Sequence, residues 1–357
     1  PAIFRPILDD AETRSGFARL GSVALRFSGP ILAAPTEPED SLADQGVIWL
    51  DLSVDPPQRI AYTSWLDDDA DQLMIKPLLP LRAGARHAVF VTNNHQSANG
   101  GCLAPSPVMR SILEQNPAAE LSDHTAAVHD AIDRSGLELS AISHVQVFTT
   151  HDDLGMMREV AADVRSRDYE WLEPPVCEGE SPRLCSGVFL ANDYRSGEWI
   201  ISPSPKQQWP LTVHFWLPQA PPVGLAMYGH GINNRAESGD SFADLVNPLG
   251  VPVVAVDAMH HGQHPTADPD SAMPALNFLG VNLSQLAFDT QNLRGSFDQT
   301  VADRLQLLQL LEQHPDIDGD GAADIELSTL IYYGDSLGGM LGPQLLANHS
   351  GFDAAVL

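Results

Sequence analysis

Leu-Ile-Tyr-Tyr-Gly-Asp-Ser-Leu-Gly-Gly-Met-Leu-Gly, residues 330–342, is the stretch on which the reading of this chain turns. Leu330 to Tyr333 is a short apolar and aromatic run of the kind that forms a buried parallel strand. Met340 to Asn348 reads as a helix. Between them, Gly334-Asp335-Ser336-Leu337-Gly338 fits the Gly-x-Ser-x-Gly pattern of a nucleophile elbow. A strand that turns sharply into a helix holds its central serine in a strained conformation. Glycine on both sides lets strand and helix approach without a Cβ clash. Such a turn lifts the Ser336 hydroxyl above the sheet and aims the Leu337 amide, at the helix N-terminus, at an incoming carbonyl.

An acyl-transfer serine needs an oxyanion hole and a base. Leu225 to Tyr228 is a second apolar strand, and it runs into Gly229-His230-Gly231-Ile232-Asn233. A loop after such a strand supplies the second oxyanion amide in α/β-hydrolases. Ile232 N–H is the candidate donor, with Gly231 permitting close approach. The base is not legible. On this fold class the acid and the histidine follow the serine. His349 stands 13 positions on, roughly 20 Å away at 1.5 Å per helical residue, and Asp353 opens the next strand at the edge away from the site. The triad acid and histidine are therefore expected beyond Leu357, with the domain incomplete at its C-terminus.

Two further clusters carry chemistry. Asp257, His260, His261 and His264 resemble a metal set, but they follow a strand end that lines the mouth of the site, so a structural or pocket-lining role is expected. Asp316-Ile-Asp318-Gly-Asp320-Gly321-Ala-Ala-Asp324 places acidic residues at positions 1, 3, 5 and 9 of a calcium loop, with glycine at 6. Position 12 is Leu327 rather than glutamate, and Glu326 comes one residue early. Structural calcium on Asp316, Asp318, Asp320 and Asp324 is the expectation, with no cofactor for catalysis. Cys177 and Cys185 share a polar, Pro-rich loop suited to a short disulfide in an exported protein, and Cys102 is left over.

From Ser22 to about Thr150 the sequence is mostly β, with short apolar runs at Val23–Phe27, Val47–Leu52, Leu73–Ile75 and Ala88–Thr92. Asp and Pro clusters such as Asp67–Asp71 separate them. The spacing predicts a β-sandwich over 1–150, interrupted by helices after Ser106 and from about Ser122 to Arg134. Met156, Met157, Val160 and Val164 mark a linking helix, and Arg167 to Pro182 reads as a Cys-bearing connector, giving a linker over 151–185. Over 186–357, Gly187–Leu190, Trp199–Ile201 and Leu211–Leu217 read as antiparallel strands. Val251–Val256 and a long helix with Phe297, Val301, Leu305, Leu308 and Leu311 on one face complete a doubly wound α/β order.

The composition narrows the partners. Forty-seven acidic residues stand against 19 basic ones, a net charge of −28. Lys76 and Lys206 are the only lysines. So acidic a chain is repelled by nucleic acid and by anionic bilayers, and no apolar run reaches the ~20 residues of a membrane span.

The elbow, the His-Gly loop and the Asp-rich turn together resemble the bacterial virulence-factor lipase family. Val23–Pro30, Leu73–Leu81 with the following Arg82-Ala-Gly-Ala-Arg-His-Ala-Val, Val147–Thr150, and Arg294–Leu308 with Gln299 and Asp303 share the likeness. Asp335 stands where such lipases usually carry histidine. The resemblance implies an exported α/β-hydrolase with an Ig-like N-terminal domain, acting on ester or lipid substrates at the bacterial cell surface. It leaves room for an outer-membrane lipid anchor outside this chain. The expected activity is serine carboxylester hydrolysis. An adhesion protein with an inert hydrolase domain, and a serine peptidase or acyltransferase on the same fold, are the alternatives.

Overall fold

The computed structural model describes residues 5–67, 71–179, 182–200, 202–271, 273–283 and 286–357. Residues 68–70 of the acidic break, 180–181 of the connector and residue 201 lie outside the described residues. The chain divides into two compact units, Thr13–Asp153 and Pro1–Glu12 with Leu154–Leu357. Helix α1 (Arg5–Glu12) belongs to the second.

In the Thr13–Asp153 unit, β1 (Val23–Arg26), β4 (Tyr62–Leu66) and β5 (Gln72–Pro77) form a three-stranded sheet, with β5 central. The other sheet holds β2 (Val47–Asp51), β3 (Gln58–Arg59), β6 (Arg86–Thr92) and β7 (Ile142–Thr149) in the order β3-β2-β6-β7. All pairings are antiparallel. Alternation along β2 explains the layering. Val47 and Trp49 pack with Leu25, Leu73 and Ile75 between the sheets. Ile48 and Leu50 point the other way, onto Met109 of α3 (Pro107–Leu113) and Val128 and Ile132 of α4 (Ser122–Ser135). The four-stranded sheet is thus buried on both faces, and the helical insertion forms a third layer. A short α2 (Pro38–Ala43) sits beside β4.

The second unit is built on a seven-stranded sheet of order β18-β17-β13-β14-β12-β9-β8. Its members are β8 (Trp171–Glu178), β9 (Arg183–Asp193), β12 (Gln207–Leu217), β13 (Leu225–Gly229), β14 (Val253–Val256), β17 (Leu330–Gly334) and β18 (Phe352–Val356). The last four are mutually parallel, while β8, β9 and β12 join antiparallel. Small two-stranded ribbons are β10 (Arg195–Ser196) with β11 (Trp199–Ile200), and β15 (Val281–Asn282) with β16 (Ala287–Phe288). Helices α5 (Gly155–Arg165), α8 (Thr290–Gln313) and α9 (Leu337–Asn348) bury their apolar faces on one side of the sheet. On the other side α6 (Asp240–Val246) packs Ala243 against Trp216, Ala226 and Val253. A short α7 (Pro274–Phe278) precedes the β15–β16 ribbon.

The stretch read as a linker is structural instead. α5 buries Met157, Val160, Ala161 and Val164 in the main core, and the supposed connector is the edge strand β8. Pro174 and Pro175 disguise it. Proline removes ladder donors, so a strand that carries two is confined to an edge, and its pairing with β9 shifts register on both sides of Glu173.

Candidate active site

The chain leaves β13 toward β14 on one side, whereas β17 lies on β13's other side. Connections diverging from neighbouring parallel strands open a crevice outside their carboxyl ends. The loops that reach it begin at His230, Asp257 and Asp335.

Ser336 occupies the turn between β17 and α9 with φ 48° and ψ −104°, and it is exposed. Positive φ in a residue with a side chain is strained and persists only where the surroundings impose it. The surroundings here are backbone. A methyl group on Gly334 would sit 2.5 Å from Gly338 C and from Gly339 N, and one on Gly338 would fall onto the Gly229 carbonyl. Strand and helix therefore touch main chain to main chain, and these glycines supply space rather than an unusual φ.

The His230–Ile232 loop lies alongside. A methyl on Gly231 would reach 2.9 Å from Asp335 Oδ2 and 3.5 Å from Ser336 Cβ. Among the described residues, neither the Ile232 N–H nor the Leu337 N–H has a hydrogen-bond acceptor. Two free amides thus flank an exposed, strained serine. The Gly338 N–H is shared between the Asp335 carbonyl at 2.8 Å and the His230 carbonyl at 3.1 Å, and the second bond ties loop to elbow. Beneath them, fully buried Arg304 donates from a terminal guanidinium nitrogen to the Tyr332 hydroxyl (2.7 Å), which donates to the Gly338 carbonyl (2.6 Å).

His230 is wholly buried, and the Ala258 N–H donates to its Nε2 at 2.9 Å. Burial pushes its pKa down to about 3, so the ring is neutral, its proton sits on Nδ1, and Nδ1–H donates to the Gly231 carbonyl at 2.9 Å. The 3.7 Å approach of Nε2 to Asp257 Oδ1 is therefore not a hydrogen bond. Asp257 accepts instead from the Ala236 and Gln263 amides, and burial raises its pKa.

The histidine cluster does not converge on a metal site. His261 donates from Nδ1 to the Met259 carbonyl, and its ring lies against His230 and Phe278. His264 accepts from the Thr266 amide at Nδ1 and donates from Nε2 to buried Asp303 at 3.2 Å. His260, with φ 64°, donates to the Thr266 carbonyl, and burial lowers its pKa to about 4. His260 also lines a cavity of about 810 Å³ with Glu198, Leu276, Asn277 and Phe288, and Ser336 is not among the lining residues. Among the described residues no side chain is bonded to Ser336 Oγ. Asp353 accepts from the Leu330 N–H at the opposite end of β17, and His349 ends α9 against Phe352.

Of the acidic loop, Asp316, Asp318 and Asp324 bring carboxylate oxygens within 4.8 Å of one another, a set able to hold a cation. Asp320 lies outside it and accepts from the Ala322 amide. Arg183 pairs with Asp318 and Asp324, so the cluster already has a cationic partner that an incoming ion must displace. Cys177 and Cys185 are bonded, directly opposite each other on β8 and β9 rather than within one loop. Cys102 is free and exposed.

The mixed sheet, its strand order and the elbow after β17 make this unit an α/β-hydrolase fold. No protein-family model and no curated protein matches the chain. Solved structures do. Acetyl xylan esterase 1 from Thermoanaerobacterium sp. JW/SL YS485 is similar at 15% identity and a TM-score of 0.38, over 57% of this chain and 57% of that one. A cold-adapted esterase from an Arctic intertidal metagenomic library matches at 18% identity and a TM-score of 0.33, over 50% and 62%. An S-formylglutathione hydrolase from Agrobacterium tumefaciens matches at 16% and 0.32, over 51% and 60%. The chain thus spans less than two thirds of each of these proteins.

Proposed function

We propose that the chain carries a serine carboxylester hydrolase, lipase- or esterase-like, with Ser336 as nucleophile and the Leu337 and Ile232 amides as the oxyanion hole. One observation carries the reading: an exposed serine at φ 48° stands at a strand-to-helix turn beside two unpartnered amides. Ser336 Oγ attacks the ester carbonyl carbon, and the oxygen that becomes negative accepts from both amides. Collapse expels the alcohol and leaves an acyl-serine, which water then hydrolyses. Fixed donors of this kind favour the tetrahedral state without reorganising. A serine hydroxyl also needs a base to take its proton, and an acid–histidine pair is the group this chemistry calls for.

Export belongs to the same proposal, since a disulfide such as Cys177–Cys185 persists in oxidising compartments. So do kinship with the virulence-factor lipases, an Ig-like role for the Thr13–Asp153 unit, and structural calcium at Asp316, Asp318 and Asp324. In the full-length protein, Ser336→Ala should abolish hydrolysis of short-chain esters and labelling by a fluorophosphonate, with the melting temperature unchanged. Labelling of the mutant at the parent's rate would refute the assignment. Faster turnover of peptides than of esters would shift it to a peptidase.

A further inference from the structure

We infer that His230 is the positioning residue of the oxyanion hole: its ring sets the plane of the Gly231–Ile232 peptide while its carbonyl anchors the helix turn that carries Leu337. The inference rests on the hydrolase reading and assigns a role which that reading leaves open.

A trans peptide is planar, so its N–H points opposite to its C=O. The Gly231 carbonyl is held from the core side by His230 Nδ1–H at 2.9 Å, with the Asn234 amide as a second donor at 3.1 Å. The Ile232 N–H is thereby turned out of the core, on the side where Gly231 abuts Asp335 and Ser336. The ring can do this in only one tautomer. The Ala258 amide, arriving from the end of β14, occupies Nε2 and forces the proton onto Nδ1. Meanwhile the His230 carbonyl accepts at 3.1 Å from Gly338 N–H, one residue beyond Leu337, an N–H it shares with the Asp335 carbonyl at 2.8 Å. The two free amides come from loops more than 100 positions apart in sequence, 232 against 337, and His230 is bonded next to each. It therefore fixes their spacing.

The expected loss is moderate, because removing the ring leaves the Asn234 donor in place. Deleting an oxyanion donor outright costs about 10²–10³ in rate, so misorienting one should cost about tenfold. The test is the rate of fluorophosphonate labelling of Ser336 in three variants of the full-length protein. His230→Asn keeps an N–H at the Nδ1 position and should label within a few-fold of the parent. His230→Gln offers its amide at the Nε2 position, and His230→Ala offers none, so both should label about tenfold more slowly. Equal rates for Gln, Ala and parent would overturn the inference, as would an Asn variant as slow as the Ala variant. Nitrogen NMR of the unmutated protein adds a readout that needs no variant to fold: His230 should carry its proton on Nδ1 throughout pH 5–8. A proton on Nε2 would sink the inference by itself. A full-length parent protein that is never labelled at Ser336 would refute the hydrolase reading instead, with the tautomer result standing apart.

Discussion

Gly334→Ala tests the elbow most directly, because the structure fixes the size of the clash. The new methyl would lie 2.5 Å from Gly338 C and Gly339 N and 2.6 Å from Gly338 O. Contact at about 3.5 Å is comfortable, so the overlap is about 1 Å. All three obstacles are backbone and cannot rotate away, so strand and helix must part. Overpacking of this kind costs about 1–3 kcal/mol or more. Alanine also restricts the unfolded chain, which returns about 0.4–1 kcal/mol, and a net loss of about 2 kcal/mol follows. For a unit of this size that lowers the melting temperature by roughly 4–8 °C. Gly231→Ala is the control. Its nearest obstacle is the exposed Asp335 carboxylate at 2.9 Å, which can swing aside, so its melting point should stay within about 2 °C of the parent. Scanning calorimetry of both variants decides the matter. If Gly334→Ala melts no lower than Gly231→Ala, the main-chain contact between β17 and α9 is not as described.

Acid should weaken the fold through its buried histidines. His230 and His260 have folded pKa values near 3 and 4, below the unfolded value of 6.5. Their contribution is therefore complete above pH 6.5 and is lost as pH falls from there toward 4 and 3. At pH 5 each should account for about 2 kcal/mol of lost stability. His260→Asn, which tolerates the positive φ, should flatten the stability–pH slope between pH 6 and 4.5 by about 1.2 kcal/mol per pH unit, and an unchanged slope in urea titrations counts against it. Replacing Cys177 and Cys185 together by serine should cost about 2–3 kcal/mol, as for a short closed loop, and peptide maps of unreduced parent protein should show the bridged pair. Millimolar calcium should raise the melting temperature of chelator-treated protein. Asp318→Ala should abolish the rise and Asp320→Ala should spare it, and a flat response of the parent removes calcium from the proposal.

The elbow was legible because strand, glycine pattern and helix follow one another within thirteen residues, and local spacing carries all the information. The long helix was legible only on its apolar stripe. α8 also buries Gln299, Asp303, Arg304 and Gln306, which serve the Tyr194 and Asn192 main chain, His264 and Tyr332. Nothing in a helical period says that a polar face will meet buried partners. His230's ring role was hidden for a related reason, since its tautomer is decided by Ala258 on another strand's loop. The histidine cluster was legible from its place after a strand end rather than from its ligand types, and each ring has its own acceptor: the Thr266 carbonyl, the Met259 carbonyl and the Asp303 carboxylate.

The Cys177–Cys185 bond has a consequence for strand phase. Trp171 at the far end of β8 enters the core against Phe189 and Phe215, while its neighbour Leu172 faces solvent. Between Trp171 and the sulfurs lie two register shifts and a proline pair, with Gly187 making room for Pro175. Hydrogen bonding interrupted in this way cannot count residues along the strand. The bridge serves as the index mark from which the count begins. A displacement of one residue inverts which side chains face inward, and would exchange the indole for a leucine in a space shaped for the larger ring. The covalent link thus works as a pointer, which tells a poorly ruled edge strand which of its two faces belongs inside.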